Sequence, residues 1–204
     1  MKRRSLVFII GRALAVPIFK LLFHYKVKGK KNLPKEGAYI VCPNHLSNAD
    51  PMLVSMTQKR QIYYMAKAEL FKNPIASAMI RELGAFPVER GAGDGKAIET
   101  AEEVVKDGRL LGIFIEGTRS KTGEFLRPKS GAAVIAFQTK TPVIPVCVTP
   151  KNKKIKLFQR VVISWGKPLS LEELGLKEGT PSELRNASRI IMDEIKKMRE
   201  IELS

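Results

Sequence analysis

The segment Asn44-His45-Leu46-Ser47-Asn48-Ala49-Asp50 brings an imidazole and a carboxylate close together in the chain. Imidazole titrates near neutrality and can take a proton from a hydroxyl, while a partner carboxylate fixes its tautomer. Two residues five positions apart on one helix point to different faces, so the pair can meet only if a loop folds back. Asp50-Pro51 gives reason to expect that loop, since it reads as a helix cap followed by proline at the first helical position. The same dipeptide supports a plainer reading, with Asp50 only a cap and His45 only a loop residue. Spacing alone leaves both open.

Other groups that could do chemistry follow short apolar runs: Lys67, Arg90, and the cluster Glu116-Gly117-Thr118-Arg119. Arginine presents a planar fork suited to phosphate, and two of them near a glycine turn make a clamp. Gly117 permits close backbone approach to a ligand, and Glu116 reads as a salt-bridge partner aligning Arg119. Cys42 lies near His45 and could in principle carry an acyl group; as a buried strand thiol it is inert. With Cys147 the only other cysteine, no CxxC pair and no His at ligand spacing, neither a disulfide framework nor a metal site is expected. Both thiols suit a reducing compartment. His24 carries no assigned chemistry.

These groups need a scaffold, and the pattern predicts an α/β sheet. Strands are expected at 38–42, 62–66, 85–89, 110–115, 143–149 and 161–165, each nearly continuously apolar and so covered on both faces. A helix over 96–107 ends at Gly108, and a last helix opens on the capping box Thr180-Pro181-Ser182-Glu183 with the stripe Leu184, Ala187, Ile191, Ile195 and Met198. Ligands of open α/β sheets bind beyond the carboxyl ends of the strands. If these strands are parallel neighbours, His45, Lys67, Arg90 and Arg119 share one edge: a base beside three cations, suited to an anionic substrate.

Four ordered blocks resemble the glycerolipid acyltransferase family, whose bacterial members include the lysophosphatidate acyltransferases. They are His45-x4-Asp50, Gly84-Ala85-Phe86-Pro87-Val88-Glu89-Arg90, Phe114-Ile115-Glu116-Gly117-Thr118-Arg119-Ser120 and Pro142-Val143-Ile144-Pro145-Val146. Lys67-Ala68-Glu69-Leu70-Phe71 and Lys129-Ser130-Gly131 are similar to the family as well. Ile115 departs from it, standing where proline is usual. The resemblance implies that His45 is the general base and Asp50 its orienting partner. By the same carry-over Arg90, Glu116, Gly117, Arg119 and Lys67 bind the phosphoglycerol part of an acceptor. The implied reaction moves a fatty acyl group from acyl-CoA or acyl carrier protein to lysophosphatidate, with no further cofactor and no metal. A sibling enzyme acting on glycerol 3-phosphate or another lysophospholipid is the nearer alternative.

Composition bounds the rest. The 204 residues suffice for one α/β domain, and 36 Lys and Arg against 20 acidic residues give a net charge of +16. Such a field attracts anionic lipid, phosphorylated small molecules or nucleic acid. The basic runs flank apolar sequence instead of alternating with stacking aromatics, which disfavours a nucleic-acid module. Residues 1–25 combine apolar bulk with Lys2, Arg3, Arg4, Arg12 and Lys20, and contain no acidic group. The apolar runs are too short for a spanning helix or a usual signal peptide. They predict a helix in the membrane surface, with Arg12 and Lys20 reaching lipid phosphates; a first helix packed on the core is the plainer reading, and the two are not exclusive. The expected architecture is therefore a single α/β domain over 26–204, a mostly parallel sheet flanked by helices, behind a membrane-associated segment at 1–25. Peripheral or monotopic attachment on the cytoplasmic face of the cell membrane follows from where thioester donors are made.

Overall fold

The structure, a computed structural model, describes residues 6–88 and 95–204; Lys2, Arg3, Arg4, Glu89 and Arg90 lie outside the described residues. In chain order the elements are α1 (Leu6–Phe23), β1 (Lys26–Lys28), β2 (Tyr39–Pro43), α2 (Asp50–Met56), β3 (Ile62–Lys67) and α3 (Pro74–Glu82). There follow β4 (Ala85–Val88), α4 (Gly95–Lys106), β5 (Leu110–Gly112), α5 (Gly131–Thr139), β6 (Val143–Pro150), β7 (Val161–Trp165) and α6 (Pro181–Leu203). The sheet runs β1-β7-β6-β2-β5-β3-β4, with only the β6–β7 pair antiparallel. The mostly parallel α/β domain is thus as expected. β2, β5, β3 and β4 are contiguous parallel neighbours, so their carboxyl ends form one edge.

Alternation along the strands feeds two cores. Ile40 and Cys42 of β2 face α4, α5 and α6, whereas Val41 faces the side of α1 and α2. Every residue of β6 and β7 is buried, which explains why they read as unbroken apolar runs. The α6 stripe behaves as its spacing predicts: Ala187, Ile191 and Ile195 are buried, with Leu184 and Met198 packed at the margin. Thr180 Oγ1 accepts the Glu183 N–H at 3.3 Å as a cap. Gly108 ends α4 with φ +73°.

The boundaries differ where polar ladders take over. β5 stops at Gly112 instead of Ile115, yet Ile113 and Ile115 still donate to Val41 and Pro43 carbonyls at 2.9 and 3.0 Å. β1, α3 and α5 were not legible. β1 is a charged edge with only Val27 half-buried. α5 has no polar face to set a period, with Ala132, Ala133, Ile135 and Ala136 all buried.

α1 packs through Phe8, Phe19, Leu22 and Phe23, of which Phe8 and Phe23 are buried. Arg12 is a correction. Its guanidinium donates to Ser55 and Met56 carbonyls at 2.7 and 3.2 Å, satisfying the C-terminus of α2 instead of reaching outward. The opposite stripe, Ile10, Leu14, Ile18 and Leu21, is exposed. Among the described residues no helix is long and apolar enough to cross a membrane.

Candidate active site

The loop between β2 and α2 is tied down from several sides. Asn44, fully buried, accepts the Val148 N–H through Oδ1 at 2.7 Å and donates Nδ2 to the Val148 carbonyl at 3.2 Å. A side-chain amide thereby continues the β2–β6 ladder beyond the last strand residue. The His45 carbonyl accepts the Ser120 N–H at 2.9 Å. Asn44 was not expected to matter; only its place at the end of a predicted strand hinted at it.

Asp50 is not the helix cap. Ala49 takes that position, and Asp50 is the first residue of α2, its carboxylate turned back into the loop. Oδ2 accepts the Leu46 and Ser47 N–H groups at 2.6 and 2.7 Å and sits 2.7 Å from His45 Nδ1. Two amides that would otherwise go unpaired draw the carboxylate inward. Oδ2, which already accepts two amides, is placed to accept from the ring as well, an arrangement that puts the N–H on Nδ1 and turns the Nε2 lone pair toward a substrate. The ring is held further by stacking on Phe114, with centroids 3.8 Å apart and planes 18° from parallel. The imidazole retains 12% side-chain exposure, so the ring is not sealed off from a ligand.

Glu116 is placed differently from the expectation that it aligns Arg119. Its carboxylate is buried and bridges two loops, accepting His45 N–H at Oε1 and Leu126 N–H at Oε2, each at 3.1 Å. Burial pushes its carboxyl above the usual range, while the His45 and Leu126 amides oppose that shift. No ion pair joins it to Arg119 among the described residues. Cys42 is fully buried and its thiol is pushed up by desolvation, so it is no nucleophile.

Arg119 does reach the histidine loop. It lines a basin of about 370 Å³ with Leu46, Ser47, Lys121, Lys153 and Lys154. Lys153 is engaged by Glu124 at 2.5 Å. Lys121 and Lys154 were not expected as site residues, though the basic run from Lys151 signalled the second. Gly117 makes the turn at φ +66°. Lys67 stands exposed at the end of β3, paired with Glu69 at 2.7 Å, and Arg90 lies outside the described residues.

A histidine held by a buried carboxylate beside a cationic basin is what this sheet edge presents. The Acyltransferase family profile matches residues 24–149. The chain belongs to that family. Acyltransferase relatives include the 1-acyl-sn-glycerol-3-phosphate acyltransferase of Bacillus subtilis, 33% identical over 136 residues, covering 66% of this chain and 67% of that protein. The protein of that name from Borreliella burgdorferi is 30% identical over 187 residues, covering 85% and 71%. In structure, the acyltransferase fold is similar to that of 1-acyl-sn-glycerophosphate acyltransferase PlsC from Thermotoga maritima. The TM-score is 0.72 at 24% identity, over 100% of this chain and 84% of that one.

Glu116 and Arg119 should separate kinetically. Glu116→Gln puts an amide NH₂ against one of two backbone donors, an expected loss of ~1–3 kcal/mol in stability, with kcat falling as His45 shifts. Arg119→Ala should instead leave stability alone and raise the acceptor KM about tenfold or more, as for a lost charge-assisted contact. Denaturant unfolding and acceptor saturation on both variants check this. A Glu116→Gln variant changed only in acceptor KM would return Glu116 to the phosphate site.

Proposed function

We propose that this acyltransferase moves a fatty acyl group from a thioester donor, acyl-CoA or acyl carrier protein, to the free hydroxyl of lysophosphatidate, giving phosphatidate. The observation that carries the reading is His45 Nδ1 held 2.7 Å from a buried Asp50 at the rim of the Arg119 basin. His45 Nε2 takes the hydroxyl proton as the oxygen attacks the thioester carbonyl. Asp50 stabilises the imidazolium, which returns the proton to the departing thiolate. Arg119, Lys121 and Lys154 hold the acceptor phosphate, with Lys67 and Arg90 added by family resemblance; Glu116 positions the loop. Fixing both reactants makes the attack effectively intramolecular. The test crosses lysophosphatidate, glycerol 3-phosphate and other lysophospholipids with both thioester donors. Preference for glycerol 3-phosphate would move the assignment to a sibling enzyme.

The exposed stripe of α1 supports attachment to the membrane as a helix lying in the lipid surface, and the use of thioester donors made in the cytoplasm would put it on the cytoplasmic face. Full-length protein should float with anionic vesicles and be released only partly by high salt, since screening leaves the apolar contact intact. Leu14→Glu with Ile18→Glu should abolish the salt-resistant fraction. If the native chain never floats, yet binds DNA with a steep salt dependence, the nucleic-acid reading replaces this one.

A further inference from the structure

A second cavity, of about 640 Å³, opens between the 127–130 segment and α6, on the sheet face opposite α1. Arg127 and Lys129 line one wall, and Arg185, Arg189 and Lys196 the other. The α6 cations recur at i, i+4 and i+11, one face of the helix. The one carboxylate in the lining, Asp193, is already paired with Lys196 at 3.1 Å. Arg127, Lys129 and Arg185 form no ion pair with a described residue. Cations facing each other across a cleft repel unless a polyanion lies between them.

The shape narrows the occupant. A docked protein needs a broad face of about 800 Å² per partner, whereas small-molecule sites are concave and of ~300–1,000 Å³. A lipid headgroup is disfavoured, because the cleft and the exposed stripe of α1 lie on opposite faces of the sheet. The cleft also adjoins the catalytic loop. Lys129 donates its backbone N–H to Ile115 at 2.8 Å, and its side chain covers Gly117, where an added Cβ would lie 3.3 Å from Lys129 Cγ. Glu116, next in the chain, holds His45. We propose that this cleft binds the phosphorylated nucleotide end of a coenzyme A thioester, whose flexible arm then crosses the Gly117 turn to His45. The inference rests on the acyl-transfer reading above and chooses its donor.

The test is calorimetric titration of full-length protein in detergent with adenosine 3′,5′-bisphosphate and with coenzyme A. The native chain should bind both, more weakly as salt rises. Arg185→Gln with Arg189→Gln should weaken binding at least about tenfold and raise the acyl-CoA KM to match, with the lysophosphatidate KM unchanged. Removing two charges elsewhere, by Lys35→Gln with Lys156→Gln, should leave nucleotide binding as it was. Equal binding by native and Arg185/Arg189 variants, or none by either, overturns the proposal. So does a KM rise confined to acyl carrier protein, which would make the cleft a protein dock. Binding needs no turnover, so nucleotide held in the cleft without acyl transfer to any acceptor would sink the reaction and keep the cleft.

Discussion

His45→Ala is expected to reduce turnover at least ~10²-fold while leaving the circular dichroism spectrum and melting temperature close to native. Among the described residues the imidazole accepts no backbone hydrogen bond; it meets Asp50 and stacks on the Phe114 ring. Removing it therefore costs packing on one aromatic face but leaves the Leu46 and Ser47 amides satisfied by the carboxylate. Single-turnover acyl transfer with both substrates saturating isolates the chemical step. A variant that retains more than a tenth of native turnover would remove His45 from proton transfer and leave the loop without a base.

Asp50 should fail in two ways at once, and the order of its variants distinguishes them. Asp50→Asn can still present a carbonyl oxygen to the two amides, so the loop keeps its shape. The charge opposing an imidazolium is gone, however, and turnover should fall ~10²–10⁴-fold. Its NH₂ would occupy the site of Oδ1, a buried oxygen without a partner among the described residues, at a cost of ~1–3 kcal/mol. Asp50→Ala strands both amides and should be less stable again by a similar amount, with no further loss of rate. Equal unfolding free energies for the two variants would mean that the carboxylate does not hold the loop.

The sequence carried most of the scaffold because buried parallel strands announce themselves as apolar runs, and β7 matched residue for residue. Elements without contrast stayed hidden: β1, short and charged at its ends, and α5, apolar on every side. At the site, residue types and order marked His45, Asp50 and Arg119 as candidates, and the fold does bring the imidazole to the carboxylate and the arginine beside their loop. What a carboxylate accepts was not legible, since a hydrogen-bonding direction depends on which backbone donors a loop leaves unpaired. Asp50 therefore read as a cap although it faces back, and Glu116 read as an arginine partner although it joins two loops. Arg12 misled for the same reason. A guanidinium in an apolar helix suggests lipid phosphate, and the nearby carbonyl ends of α2 appear only when the chain is folded.

Asn44 settles when the site can exist during synthesis. Its anchor, Val148, lies 104 residues downstream, so a nascent chain displays α1 and the histidine segment long before β6 emerges to seat them. Pairing over such a span is slow to form and comes late. The growing polypeptide thus has its apolar helix ready first and its histidine loop seated last. Ribosome-bound chains ending before residue 143 should lack acyl-transfer activity, whereas release of the full chain should bring it on in a single step.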